Sequence, residues 1–148
     1  MFRSPRRKFA RQSSNDAGFT LIEMLVVLGI IGLITALVGP QVIGYLGRAK
    51  TDTAKAEIQN LGVAIDLFRL DVGRYPNDQE GLKALIAAPD RVTKWNGPYL
   101  RQKSVPSDPW GRTYVYRAPG QRGPFDLYTL GADNMAGGTG ENQDIANW

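Results

Sequence analysis

The feature that most constrains this chain is an almost uninterrupted apolar run over residues 19–38, followed by Gly39 and Pro40. A helix rises about 1.5 Å per residue, so these roughly 20 residues would span about 30 Å, the thickness of the hydrocarbon core of a bilayer. Basic residues precede the run, and the positive-inside rule predicts that the N-terminus is cytoplasmic and the rest lies across the membrane. A secretory signal would have small residues and a cleavage site after the run. Here the segment continues as Gly39-Pro40-Gln41-Val42, which by itself predicts an uncleaved anchor.

The charge distribution argues against a nucleic-acid-binding protein. The formal net charge is +4, but residues 1–18 hold five basic residues and one acidic residue, which leaves 13 of each in the rest of the chain. A surface for phosphate backbones would need basic residues clustered on the folded part. The chain also has no cysteine and no histidine, so disulfides, thiolate chemistry and the commonest general base are unavailable.

One carboxylate, Glu23, lies near the start of the apolar run. A charged side chain at the centre of a bilayer costs about 2.5–3.5 kcal/mol on insertion scales. The positive end of the helix dipole returns only about 0.3–1 kcal/mol. The carboxylate therefore needs a positive partner at the same depth.

The periodicity beyond Pro40 predicts that the helix continues. Five apolar residues repeat at spacings of four and three, as on one face of a helix. We therefore predict one helix from about residue 19 to about residue 70, kinked at Gly39-Pro40, with an apolar first half and an amphipathic second half. The repeating residues are Ala54, Ile58, Leu61, Ile65 and Phe68.

After residue 70 the composition changes to that of a small globular domain. Residues 78–88 read as a short helix with Asn77 or Asp78 as its N-cap. Residues 113–117 and 125–130 read as two strands joined by a loop rich in glycine and proline. The predicted fold class is α+β, a small antiparallel sheet of two to four strands packed on the long helix. The tryptophans are interpreted as core or edge packing, and Asp126 as a strand-end or surface residue.

The stretch "GFTLIEMLVVLGIIGLI" (18–34) resembles the class III signal of type IV pilins and pseudopilins. The resemblance implies that a prepilin peptidase cleaves between Gly18 and Phe19, and that Phe19 is then N-methylated. It also implies that Glu23, the fifth mature residue, pairs with the Phe19 amine of a neighbouring subunit during assembly.

The rest of the chain is similar to one branch of this superfamily, the major pseudopilins of type II secretion systems. The similarity rests on "RYPNDQEGLKALI", "WNGPYL", "DPWGRTYVY" and "FDLYTLGAD…DIANW", in that order. It implies a leader at residues 1–18, a transmembrane and fibre-core segment at 19–40, and a periplasmic domain at 41–148. The implied protein is a single-pass inner-membrane protein that is later extracted into a periplasmic pseudopilus. Its implied partners are further copies of itself, minor pseudopilins, the prepilin peptidase and an inner-membrane assembly platform, without nucleic acid.

The segment from Leu130 to the C-terminus is rich in glycine and poor in apolar residues. Ordering it costs roughly 1–2 kcal/mol per residue in backbone entropy. Its oxygen donors suit calcium, although the composition alone favours a flexible surface loop. The family resemblance favours calcium, held by Asp133 and Asp144. The main-chain carbonyl of Leu130 and one or more carbonyls of the segment 140–143 are expected to complete the site, and Asn142 is the residue of that segment predicted as a ligand.

Two other functions remain as alternatives. A type IV pilin-like subunit for adhesion, motility or DNA uptake is disfavoured. Such pilins usually close a C-terminal loop with a disulfide, and this chain has no cysteine. A membrane-anchored hydrolase would need acidic residues such as Asp71 and Asp108 to act together, and no nucleophile motif accompanies them. The sequence therefore predicts a structural subunit that is not an enzyme.

Overall fold

The computed structural model describes residues 18–148, which divide after Pro40 into two units, the second being Gln41–Trp148. A single helix, α1, runs from Leu21 to Val72. The predicted long helix is therefore confirmed, with both ends displaced by about two residues.

In the first unit, Thr20 forms the N-terminal cap of α1. Its hydroxyl accepts a hydrogen bond from the backbone N–H of Glu23 at 3.2 Å, which satisfies one of the free donors at a helix start. Pro40 lies inside the helix. Because proline has no N–H, the carbonyl four residues earlier, on Ala36, loses its usual helical partner. The kink predicted at Gly39-Pro40 stays a prediction.

In the second unit, one face of α1 supplies much of the core. All five residues of the predicted stripe are at most 2% exposed. They pack with residues from the turn after Pro76 and from the sheet. The other buried apolar residues of this core are Ala64, Leu82, Ala84, Leu85, Tyr114, Phe125, Leu127 and Ile145.

The sheet is antiparallel and has the order β1-β2-β3. Strand β1 spans Val115–Arg117, β2 spans Asp126–Thr129 and β3 spans Ile145–Ala146. Tyr116 pairs with Leu127, and Thr129 pairs with Ile145. The α+β fold class and both predicted strands are confirmed, although each strand is shorter than predicted.

The predicted helix at residues 78–88 is a shorter 3-10 helix, Gly81–Leu85. Gly81 has a φ of +52°, a left-handed conformation that an α-helix cannot accommodate. The N-cap position of this helix is Glu80, without a side-chain cap, so the predicted cap at Asn77 or Asp78 is wrong. The Asn77 side chain instead closes the preceding turn, where it accepts hydrogen bonds from the N–H groups of Gln79 and Glu80. Glu80 in turn accepts from the Asn77 N–H at 2.8 Å and pairs with Arg74.

Asp126 begins β2, which confirms its interpretation as a strand-end residue, but it is buried and is therefore not a surface residue. Its carboxylate accepts hydrogen bonds from the backbone N–H groups of Gln121 and Arg122 at 2.7 and 3.1 Å. A buried carboxylate requires such partners. Asp126 thus closes the loop between β1 and β2.

Candidate assembly helix and metal loop

The residues of the predicted processing and assembly site lie at the start of α1. Gly18, Phe19 and Glu23 are all exposed, and the helix begins only at Leu21. The bond between Gly18 and Phe19 therefore lies outside helical structure. The backbone N–H of Glu23 is used by the helix cap, and its side chain makes no hydrogen bond or ion pair with residues 18–148.

The apolar half of α1 is exposed among the described residues of its unit, 18–40. None of the residues in the most apolar 18-residue stretch of the helix is buried, and the helix is long and apolar enough to cross a membrane. Leu21, for example, is 91% exposed. Exposed apolar surface of this extent marks a membrane or a protein partner.

The second predicted site, which we call the C-terminal loop, spans residues 130–144. Asp133 is exposed, and its carboxylate accepts a hydrogen bond from the N–H of Met135 at 3.0 Å. Asp144 is half-buried, and its Oδ2 accepts from the N–H of Gly137 at 2.9 Å. The N–H of Asp144 also donates to the carbonyl of Gly137 at 3.2 Å. The loop is therefore folded back on itself.

The two ends of the C-terminal loop lie side by side. The N–H of Ala132 donates to the carbonyl of Glu141 at 2.9 Å. A Cβ added to Gly131 would come within 2.8 Å of the carbonyl oxygens of Asn142 and Gln143. Gly131, which follows Leu130, has a φ of +65°, so glycine provides both the turn and the close approach. The predicted ligand segments around residues 130 and 140–143 are thus brought together.

The donors in this loop fit a hard cation. Asp144 Oδ1 is buried and receives no hydrogen bond from any described residue, which is costly for a carboxylate unless a cation pairs with it. Within residues 18–148, no three acidic side chains converge as a ready-made metal cluster. The predicted ligand set, two aspartates together with main-chain oxygens, is typical of calcium, and it stays a prediction.

Sequence reasoning missed the residues that support this loop. Arg112 donates a hydrogen bond to the carbonyl of Gly131, and the indole N–H of Trp110 donates to Glu141 at 3.0 Å. Trp110 is partly buried against the core, so its interpretation as a packing residue is confirmed. No local pattern indicates these contacts, because they join residues 19 and 31 positions apart.

The structure gives the two acidic residues of the hydrolase hypothesis separate structural contacts. Asp71 accepts a hydrogen bond from the hydroxyl of Tyr99 at 2.8 Å. Asp108 is 4% exposed and accepts from the N–H groups of Trp110 and Arg112 and from the hydroxyl of Thr129. Each carboxylate is therefore accounted for by the packing around it.

Two tyrosines, the buried Tyr114 and the partly buried Tyr116, also have structural contacts. Burial raises the pKa of Tyr114 and of Tyr116, so both hydroxyls stay protonated near neutral pH and act as donors. Tyr114 donates to Glu57 on α1 at 2.5 Å, and Tyr116 donates to the carbonyl of Pro76 at 2.8 Å. These hydrogen bonds connect α1 and the turn that follows it to β1 and the residue that precedes it.

Two family models match the chain. Residues 41–148 match the model described as type II secretion system (T2SS), protein G. Residues 13–39 match the model described as the prokaryotic N-terminal methylation motif. The two matches meet near Pro40 and together cover the chain from residue 13 onwards.

Individual proteins show the same similarity. The type II secretion system core protein G of Pseudomonas aeruginosa is 46% identical over 141 residues, which cover 93% of this chain and 98% of that protein. The protein of the same name from Vibrio cholerae is 38% identical over 141 residues, with 93% and 95% covered.

A solved structure also matches the fold. The crystal structure of the major pseudopilin from the type 2 secretion system of enterohaemorrhagic Escherichia coli superposes with a TM-score of 0.57 and 32% identity, covering 72% of this chain and 92% of that chain. The long helix packed on a three-stranded antiparallel sheet is therefore the pseudopilin fold. The chain belongs to the type II secretion system protein G family, the major pseudopilins, and is a membrane-anchored structural subunit of the pseudopilus.

Proposed function

We propose that this chain is the main repeating subunit of its pseudopilus, that it polymerises through its N-terminal helix, and that fibre growth drives folded proteins across the outer membrane. The observation that carries this proposal is the apolar half of α1, whose side chains are exposed along the whole stretch. Lipid can cover this surface in the membrane, and the same segments of neighbouring copies can cover it in a fibre.

Processing by a prepilin peptidase prepares the subunit for assembly. The match of residues 13–39 to the N-terminal methylation motif supports removal of residues 1–18 and methylation of Phe19. The exposed, non-helical position of Gly18 and Phe19 supports access to the bond between them. Cleavage replaces an amide at Phe19 with a positively charged amine.

The new amine gives Glu23 the partner that its environment requires. An unpaired carboxylate in hydrocarbon is penalised by a few kcal/mol, more than the helix dipole returns. Pairing between Glu23 of one subunit and the Phe19 amine of the next removes this penalty and fixes the axial register of the two helices. Assembly then selects neighbours that are correctly placed along the fibre.

The proposed topology follows the predicted divisions of the chain. Residues 19–40 lie in the inner membrane and later in the fibre core, and residues 41–148 lie in the periplasm. The missing hydrogen bond at Pro40 weakens the helix and supports a bend at Gly39-Pro40 during extraction. Minor pseudopilins and an inner-membrane platform are the expected partners.

The C-terminal loop is proposed to bind calcium through Asp133 and Asp144, with carbonyls of Leu130 and the Asn142 region. The buried, unpartnered Oδ1 of Asp144 and the convergence of the two loop ends support this assignment. Calcium supplies the cross-link that a loop with few apolar residues otherwise lacks.

A substitution at Glu23 tests the assembly mechanism in a strain that carries the secretion system. Glu23→Leu is expected to insert into the membrane and to be processed normally, but to form no fibres and to leave exoproteins in the periplasm. Leu28→Ala, an apolar change on the same helix, is the matched control and should support secretion. Normal fibres and secretion from Glu23→Leu would refute the mechanism. Loss of twitching or DNA uptake instead of secretion would indicate a type IV pilin function.

A further inference from the structure

The side chain of Glu141 connects the C-terminal loop to α1. Its Oε1 accepts a hydrogen bond from the indole N–H of Trp110 at 3.0 Å and lies 3.5 Å from the ammonium nitrogen of Lys50 on α1. The Glu141 and Lys50 side chains are each about one-third exposed, at 36%. One carboxylate oxygen thus joins the loop, the turn at Trp110 and the helix.

The other carboxylate oxygen of Glu141 lies against Gly47. Gly47 is buried, although its neighbours Leu46 and Arg48 are exposed. A Cβ added to Gly47 would lie 2.9 Å from Glu141 Oε2, and the remaining close atoms also belong to Glu141. This glycine therefore forms a seat on α1 that the Glu141 carboxylate fills.

The backbone of the same residue holds the loop together. The carbonyl of Glu141 accepts the hydrogen bond from the N–H of Ala132 that joins the two ends of the loop. Glu141 also lies at the centre of the 3-10 turn Gly140–Asn142. Any movement of this residue would move the carbonyls proposed to face the metal.

We propose that Glu141 is the positioning residue that couples metal binding in the C-terminal loop to the segment of α1 around Gly47. Its Oε1 is engaged by Trp110 and Lys50, so it acts through these contacts and not as a ligand. The inference rests on the proposed calcium site. Because coupling is reciprocal, the seat on α1 raises calcium affinity, and bound calcium rigidifies α1 at residues 47–51.

The test uses the full-length chain in detergent, with calcium titrated into protein stripped by EDTA and amide hydrogen exchange recorded with and without calcium. Glu141→Ala should weaken calcium binding about tenfold. It should also abolish the calcium-dependent slowing of exchange at residues 47–51 that the wild type shows. Glu141→Gln keeps an acceptor for Trp110 and should recover part of the affinity.

Gly47→Ala tests the seat without touching the loop. Alanine is the better helix former, so this change should leave the metal-free protein at least as stable, yet weaken calcium binding about threefold by displacing the Glu141 carboxylate. The matched control is Gly44→Ala, on the same helix, where an added Cβ meets no atom within 4 Å. Its calcium affinity should stay within twofold of the wild type.

The outcomes separate this inference from the metal site itself. Wild-type affinity in both Glu141→Ala and Gly47→Ala, or equal calcium-dependent protection of α1 in Glu141→Ala, would overturn the coupling while leaving the site intact. Absence of calcium binding by the wild type would overturn the site, and the coupling with it.

Discussion

The two halves of α1 differ in where their apolar side chains find partners. In the second half, a stripe from Ala54 to Phe68 is buried within the chain's own domain. In the first half, the most apolar stretch has no buried residue at all. One helix therefore contains a segment that completes a fold and a segment that remains incomplete until another molecule covers it.

This difference explains how one chain can be a membrane protein and a fibre subunit. A folded domain needs only a stripe of apolar residues on the helix that it packs against. A helix that is apolar on all sides needs lipid or other helices around it. Glu23 is the one charged residue among residues 19–40. Its carboxylate is a group that lipid hydrocarbon cannot pair.

The largest expected effect contrasts a core residue with an exposed residue of the apolar half. Phe68→Ala should destabilise the globular domain by about 3–5 kcal/mol and lower its melting temperature by at least about 10 °C, because Phe68 is fully buried. Leu28→Ala should leave the melting temperature unchanged, because Leu28 is 69% exposed. Thermal unfolding of the full-length protein in detergent measures both. Equal destabilisation would show that the apolar half packs within the folded protein.

A smaller effect is expected for calcium, which would act on the domain and not on the membrane segment. Calcium at about 100 times its dissociation constant should add about 2.7 kcal/mol of stability and raise the melting temperature by roughly 10 °C, with EDTA reversing the change. Asp144→Ala should abolish the shift, whereas the Leu28→Ala protein should retain it. An unchanged melting temperature at millimolar calcium would count against the site.

The smallest effect is a pH dependence confined to the domain. The hydrogen bonds that Glu80 accepts from Arg74 lower the pKa of Glu80, and the N–H of Asn77 acts in the same direction. Because the folded-state pKa lies below the unfolded value, the stability that ionised Glu80 contributes to the fold is fully present above the ordinary pKa of glutamate, about 4.3. It is lost as the pH falls through the folded-state pKa. Glu80→Gln should flatten this part of the stability profile, which lies below the ordinary pKa of glutamate. An unchanged profile would contradict the assignment.

Periodic patterns in the sequence predicted the larger elements of the fold well. The spacing of Ala54, Ile58 and Phe68 identified the buried face of α1, because a helix repeats every 3.6 residues. The same kind of pattern could not predict that Gly81–Leu85 forms a short 3-10 helix. Its form depends on the left-handed conformation of Gly81, which the apolar pattern of a short segment does not reveal. The two-residue strand β3 is likewise too short to produce a pattern of alternation.

The candidate metal loop was predicted only in part. Oxygen donors and glycines marked the loop, and the family resemblance selected Asp133 and Asp144. The contacts that hold the loop in place, from Arg112 to Gly131 and from Trp110 to Glu141, depend on long-range packing. No local spacing in the sequence encodes such contacts, so only the folded structure shows them.

The proposed assembly depends most directly on the amino terminus of the assembled subunit. Mass spectrometry of protein recovered from isolated fibres should find a chain that begins at Phe19 and carries one added methyl group. Such a chain has the amine that Glu23 of its neighbour requires. Fibres built from chains that retain residues 1–18 would lack that amine and would contradict the proposed assembly.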